Sequence, residues 1–173
     1  GAVIIGAHVG CWGTGAGFFG DYARKMHLVM YDAEYRQIKN VMEKHCGQEG
    51  YKVIAVNEGG IESILRIKEV LDRKEYVCFQ GDRFVEGSPT VTLPFMRHEA
   101  PFPAGPVAGK FRAPVVFYYA MRERGRRYRF IFDIPDGDGC GTKEAILGSY
   151  VRSLEAVVRR YPQQWFNFYR FWS

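Results

Sequence analysis

The chain has 173 residues, of which 47% are hydrophobic and 25% charged, and its formal net charge is +5. These values are typical of one soluble globular domain with a real core, and they exclude a disordered chain. Four scattered cysteines, none in a C-x-x-C pair, indicate neither a zinc site nor a dense disulfide framework. No apolar run approaches the roughly 20 residues that span a bilayer, and no signal-peptide pattern is present.

Strands and helices alternate through the first half of the chain. The continuous apolar run over residues 3–7 is typical of a strand buried on both faces of a parallel sheet. Because the chain opens directly on this strand, we expect that a segment of a longer protein precedes it. After a glycine-rich loop, the patterns predict a helix over 18–26, a strand over 28–31, a helix over 32–46, a strand over 51–56, a helix whose buried stripe is Ile64, Leu65, Ile67 and Leu71, and a strand over 76–79.

The second half adds a hairpin and a long helix. The patterns predict a strand over 90–93, a loop rich in proline over 101–106 with a short helix after it, a strand over 115–120, its hairpin partner over 128–133, and a helix over 143–160 that buries Ile146, Tyr150, Leu154 and Val157. This order predicts one domain over residues 1–173 of the α/β class. We expect three layers, α/β/α, around a mixed, mostly parallel sheet.

His8 directly follows the first predicted strand, in His8-Val9-Gly10-Cys11-Trp12-Gly13. A polar side chain just past the carboxyl end of a parallel strand faces the edge of the sheet where α/β proteins place their sites. A histidine that only bonds the backbone would fit the same position, so the placement alone leaves both interpretations open.

A second glycine pattern points to a different class of protein. Residues 15–20 match G-x-G-x-x-G, and Asp32 follows the second predicted strand, as in a dinucleotide-binding fingerprint. That fingerprint places its first glycine directly after the strand, whereas residues 8–14 intervene here. A dinucleotide-dependent oxidoreductase therefore stays as an alternative.

The segment from His8 to Gly13 is similar to the H-x-G-x-W-E form of the H-x-x-x-x-D/E motif of the lipid A late acyltransferases (lauroyl/myristoyl transferases) within the lysophospholipid acyltransferase superfamily. Later blocks resemble this family in the same order: Gly81-Asp82-Arg83, residues 93–96 with 100–106, residues 113–116, and residues 161–165 with 169–171. The resemblance runs from Gly6 to Phe171 and implies a glycerolipid acyltransferase-like fold.

The resemblance also implies a reaction. In the family, the histidine takes a proton from an acceptor hydroxyl that attacks an acyl thioester, while the acidic residue orients the imidazole. It implies His8 as the general base, Arg83 as the holder of a phosphate or phosphopantetheine group, and Trp12, Gly105 and Arg170 as further substrate-binding residues. The partners would be an acyl carrier protein or CoA thioester, a lipid acceptor and a membrane surface, with no metal or organic cofactor. The expected location is the cytoplasmic face of the inner membrane, with the protein peripheral or anchored by a preceding segment.

Gly13 departs from the family, which has an acidic residue at this position. A glycine cannot bond or orient an imidazole ring. Three explanations stay open: an engineered inactivating substitution, a natural loss of activity that leaves a lipid- or carrier-binding relative, or replacement by another acid. Asp82 and Glu58, both expected near strand ends on the same edge, are the candidates for replacement.

Two regions of the sequence carry clustered arginine or aromatic residues. Five arginines surround the predicted hairpin turn, at Arg122, Arg124, Arg126, Arg127 and Arg129. They form either a solvated face or a contact for anionic headgroups or an acidic acyl carrier. The aromatic residues of 165–172 are expected to lie half in the core and half against a membrane. No recognition motif supports a nucleic-acid partner.

Overall fold

The computed structural model describes residues 1–14, 18–31, 52–56, 61–84, 87–104, 113–136, 142–168 and 170–172. Its main sheet has six strands in the order β3-β2-β4-β1-β7-β8. The bounds are β1 Ala2–Gly6, β2 Met26–Tyr31, β3 Lys52–Val56, β4 Tyr76–Gln80, β7 Val115–Arg122 and β8 Tyr128–Asp133. The pairs among β1, β2, β3, β4 and β7 are parallel, and β8 is antiparallel to β7. The α/β class and the mixed, mostly parallel sheet are thus confirmed.

A separate two-stranded hairpin joins β5 (Thr90–Phe95) to β6 (His98–Pro103). The predicted loop was therefore wrong over residues 101–103, which continue β6. Met96 and Arg97 form the tight turn with φ values of 53° and 70°. Prolines fit this hairpin because each of its two strands has an outer edge that makes no ladder hydrogen bonds.

One face of the main sheet packs on helices α1 (Ile61–Asp72) and α2 (Lys143–Arg160). The four predicted core residues of α2 are all buried. In α1 the predicted stripe was wrong at Ile64 and Leu65, which are 49% and 55% exposed. The helix instead turns Ser63, Ile67, Val70 and Leu71 towards the sheet.

The other face of the sheet is covered, among the described residues, by residues 18–25. Here the predicted short helix over 18–26 is confirmed except at its last residue: Gly20–Lys25 is a 3₁₀ helix, and Met26 already begins β2. The ring of Phe19 lies 5.4 Å from that of Tyr118 on β7. The predicted helices at 32–46 and after residue 106, which bear on the three-layer arrangement, lie outside the described residues.

No helix in the described ranges combines the length and apolar character needed to cross a bilayer.

Candidate active site

His8 and Asp82 meet at the carboxyl end of the sheet. Strands β1 and β4 pair in register to their last residues, Gly6 and Gln80. His8 and Asp82 each stand two positions beyond that pair. Nδ1 of His8 lies 2.8 Å from Oδ1 of Asp82, and the backbone N–H of His8 donates to Oδ2 at 2.9 Å. Asp82 thus makes the imidazole contact that the family resemblance assigned to an acid at position 13.

The carboxylate of Asp82 is buried, with 2% of the residue exposed. Besides the two groups of His8, the indole Nε1–H of Trp165 donates to its Oδ2 at 3.4 Å. Burying a carboxylate is costly unless hydrogen-bond donors surround it, and these N–H groups meet that need. The bond to Nδ1 favours the histidine tautomer that carries its proton there, which makes Nε2 the basic atom.

Gly81 allows the two strand ends to approach. A Cβ placed on it would lie 2.7 Å from a ring carbon of Tyr150 and 2.8 Å from Ile5. Its N–H donates to the carbonyl of Gly6 at 2.9 Å, and the hydroxyl of Tyr150 donates to the same carbonyl at 2.8 Å. The packing around position 81 therefore requires a glycine directly before Asp82.

Residues 162–166 close the site from the side. The N–H of Phe166 donates to the carbonyl of His8 at 2.8 Å, and Val9 forms a β-bridge with Trp165. Nη2 of Arg83 donates to the carbonyl of Phe166 at 2.9 Å. Sequence reasoning missed Trp165 as a site residue. Its only signal was membership of the last block that resembles the family.

The other predicted site residues have different outcomes. Gly13 is exposed in the 3₁₀ turn Trp12–Thr14, and a Cβ on it would contact nothing within 4 Å. Arg170 is exposed, and no hydrogen bond joins its guanidinium to another described residue. Glu58 and Gly105 lie outside the described residues. The structure therefore joins His8 with Asp82, and with Arg83 through Phe166.

Two cavities lie on the sheet face that carries Ile4 and Gly6, the face to which the period-two alternation of a strand also assigns His8. The smaller, about 40 Å³, is lined partly by Gly6, Trp12 and Cys78. The larger, about 330 Å³, is lined by Ala2, Ile4, Phe19, Tyr22, Met26, Tyr76, Val116 and Phe132. The two share Ile4, Phe19 and Met26. Together they form a mostly apolar groove, and the end of it at Gly6 and Gln80 lies two residues before His8 and Asp82 in the chain.

The thiol of Cys78 lies in this groove but is not a candidate nucleophile. Burial raises the pKa of Cys78 to about 12, so the thiol stays neutral. Among the described residues, no three His, Cys, Asp or Glu side chains lie close enough together to hold a metal ion.

The whole chain matches the model of one known protein family. The family model described as bacterial lipid A biosynthesis acyltransferase matches residues 1–173, the whole chain. The chain belongs to this family. A comparison with curated proteins finds no match. The family is one of acyltransferases, so the glycine pattern at 15–20 is not evidence for a dinucleotide site.

The β7–β8 hairpin brings a basic surface to the same end of this acyltransferase. Because β7 is parallel to β1, its carboxyl end lies beside the site, and the N–H of Cys11 donates to the carbonyl of Ala120 at 2.7 Å. We call the exposed side chains around its turn the arginine hairpin. They are Arg122, Arg124, Arg126, Arg127 and Arg129.

The arginine hairpin has little acidic compensation. Glu123 is its one acidic residue, and it accepts from Nε of Arg129 at 2.8 Å. Hydrogen bonds from Arg129 and from the Tyr161 hydroxyl hold the pKa of Glu123 below its usual value. The side-chain amide of Gln164 bonds the backbone N–H and carbonyl of Arg122, each at 2.9 Å. The hairpin is therefore fixed to the segment that closes the site.

Proposed function

We propose that this chain transfers a fatty acyl group from a thioester donor to a hydroxyl of a membrane lipid or glycolipid, with His8 as general base. The observation that carries the proposal is the 2.8 Å contact between Nδ1 of His8 and the buried carboxylate of Asp82. In this role Asp82 replaces the acid absent at Gly13, so the chain is an active enzyme.

The reaction needs one base and no external reagent. Nε2 of His8 takes the proton of the acceptor hydroxyl while the oxygen of that hydroxyl attacks the thioester carbonyl carbon. The tetrahedral intermediate then breaks the carbon–sulfur bond, and the leaving thiolate takes the proton back from His8. The products are the new ester and a free thiol. Asp82 holds the ring and stabilises the imidazolium between these steps.

The apolar groove supports an acyl substrate. Its larger cavity, about 330 Å³, lies within the range of small-molecule sites, and its lining is dominated by apolar and aromatic side chains. We propose that the fatty chain lies in the groove, with its carbonyl group at His8. Gly6 and Gln80, which line one end of the groove, lie two residues before His8 and Asp82, and this proximity supports the placement.

We further propose that the donor is an acyl carrier protein that docks on the arginine hairpin. Exposed positive charge attracts an acidic protein and raises its association rate. Arg83, near the buried acid, would bind the phosphate of the phosphopantetheine arm. The acyl group of a CoA thioester would reach the same groove.

We place the lipid acceptor on the side of the site where aromatic residues are exposed. Phe166 and Phe168 are 41% and 85% exposed, beside the backbone that bonds His8, while Phe171 is buried. Exposed aromatic side chains of this kind favour a membrane interface. We propose that they meet the lipid surface at the cytoplasmic face of the inner membrane.

The test is release of free thiol from acyl carrier protein and CoA thioesters in the presence of lipid acceptors. We expect His8→Gln to lower the rate by about 10²–10⁴-fold, while the exposed His98→Gln serves as the matched control. Thiol release that does not depend on His8 would refute the proposed base. Lipid binding without thiol release from any donor would instead identify an inactive binding relative.

A further inference from the structure

Two polar atoms in the groove have no hydrogen-bond partner among the described residues. They are the hydroxyl of Tyr118 and Oε1 of Gln80. Both atoms are fully buried, Tyr118 as a residue is only 8% exposed, and both side chains line the smaller cavity. Buried polar groups nearly always have partners, because leaving one unpaired is costly. Two such groups in one cavity therefore point to a ligand that supplies the missing bonds.

The sheet places this pair one step below the catalytic residues. Gln80 is the register partner of Gly6, and a Cβ on Gly6 would lie 3.4 Å from Oε1 of Gln80. A side chain at position 6 would therefore occupy the space beside that oxygen. Gln80 precedes Asp82 by two residues on the same face, a distance of about 7 Å along a strand. Tyr118 and Gln80 therefore lie between the His8–Asp82 pair and the apolar part of the groove.

We propose that Tyr118 and Gln80 bind a hydroxyl group on the acyl chain in this groove, so that the site selects hydroxylated acyl groups. The Tyr118 hydroxyl donates to the oxygen of the ligand, whose own O–H donates to Oε1 of Gln80. A carbonyl or ether oxygen has no proton for Gln80, and an unsubstituted chain satisfies neither group. A space of about 40 Å³ suits one small group of this kind.

The protonation state of the tyrosine fits this role. Burial raises the pKa of Tyr118 well above its usual value. The Tyr118 hydroxyl therefore keeps its proton at neutral pH and remains a hydrogen-bond donor. This inference rests on the proposed placement of the acyl chain in the groove.

The test is equilibrium binding, which needs no turnover. The probes are a positional series of monohydroxylated fatty acids of one chain length and their unsubstituted parent, followed by tryptophan fluorescence because Trp12 lines the cavity. For the wild type, we expect at least one isomer to bind about tenfold more tightly than the parent. Tyr118→Phe and Gln80→Met should each bring the two affinities to within about twofold. Tyr128→Phe, which removes an exposed tyrosine hydroxyl outside the groove, should keep the preference.

Equal affinity of the wild type for every isomer and the parent would overturn the inference, as would a preference that survives Tyr118→Phe. The melting temperature of the ligand-free protein gives a second check. Removing an unpaired buried hydroxyl should leave it unchanged or raise it. A clear decrease in Tyr118→Phe would show that a buried water already satisfies this group, and would also overturn the inference.

Different results would refute the proposed catalytic function and the proposed selection of hydroxylated chains. Thiol release that depends on His8, without any preference for hydroxylated chains, would remove only the present inference. A preference that depends on Tyr118, without any thiol release, would remove only the proposed catalytic function.

Discussion

Asp82 accepts from the ring of His8 although 74 positions separate them in the chain. The parallel pairing of β1 with β4 removes that separation, because Gly6 and Gln80 are register partners and His8 and Asp82 follow them by two positions each. Two further donors, the backbone N–H of His8 and the indole of Trp165, bind the other carboxylate oxygen. The carboxylate is therefore fixed by three donors from two segments of the chain.

Asp82→Asn should lower kcat strongly while leaving KM and the melting temperature nearly unchanged. An asparagine amide keeps the shape but can donate to Nδ1, which selects the wrong histidine tautomer. The same change in a serine protease triad costs about 10⁴-fold, so we expect a loss of about 10²–10⁴-fold. Steady-state thiol release measures it, with Asp72→Asn on the exposed surface of α1 as the control. A variant that keeps its kcat would refute the role of Asp82.

Gly13→Glu should be tolerated without a gain in activity. A side chain at this position meets open space, so the fold should not change. Asp82 already bonds Nδ1 of His8, which leaves the added carboxylate no corresponding site on the ring. We expect kcat/KM within about tenfold of the wild type. A gain of more than about 10²-fold would mean that the acid missing at position 13 limits the enzyme.

Gly81→Ala should destabilise the protein by about 1–3 kcal/mol, as overpacking does in other cores. Its new methyl group would collide with the Tyr150 ring and Ile5, which have no space to withdraw into. Denaturant unfolding measures the change, and Gly13→Ala is the matched control because that site is open. Equal stability of the two variants would contradict the steric account of the strand ends.

Reversing charge in the arginine hairpin should weaken the use of a carrier protein. For Arg124→Glu/Arg126→Glu we expect kcat/KM for an acyl carrier protein donor to fall about tenfold at low salt, and less at high salt, because association depends on long-range attraction. The corresponding value for a CoA thioester should change less. Arg66→Glu/Lys68→Glu on α1 reverses two exposed charges elsewhere. A similar loss in that control would assign the effect to net charge alone.

His27 should make stability depend on pH near neutrality. Burial lowers the pKa of His27 below 6.5, even though Glu75 contacts its ring at 2.7 Å. Between the folded pKa and 6.5 the unfolded chain binds more protons, so stability should fall as pH decreases through that interval. Melting temperatures measured from pH about 7.5 to about 5 should decrease less steeply in His27→Gln than in the wild type. His98→Gln should follow the wild type, and identical slopes in all three proteins would exclude His27 as the cause.

The sequence predicted the elements that depend on local patterns. The long helix over 143–160 and the β7–β8 hairpin were found because their apolar periodicities are unambiguous. The β6 strand was missed because Pro101 and Pro103 are typical of loops, and only the isolated hairpin makes them acceptable there. In α1 the sequence has more apolar residues than the buried face needs, so it could not show that Ile64 and Leu65 face outwards.

The site was predictable in part. The position of His8 after a buried strand, and of Asp82 after another, indicated a common edge of the sheet. Which acid would contact the histidine depended on strand order, and the sequence does not encode that order locally. Trp165 and Tyr118 were harder still, because an aromatic residue in a core and one in a site have the same local pattern.

The bonds of residues 164–166 to Gly10, His8 and Asp82 have a consequence for synthesis of the protein on the ribosome. β1 is made before its sheet neighbours β4 and β7, which follow 70 and more residues later. The carbonyl of His8 can accept its hydrogen bond from Phe166 only after that residue has been made. A nascent chain therefore carries its histidine long before it can assemble the complete site, which requires that residue 166 has left the ribosome exit tunnel. Premature termination before that point would yield a protein that contains both His8 and Asp82 and still lacks the segment that holds them.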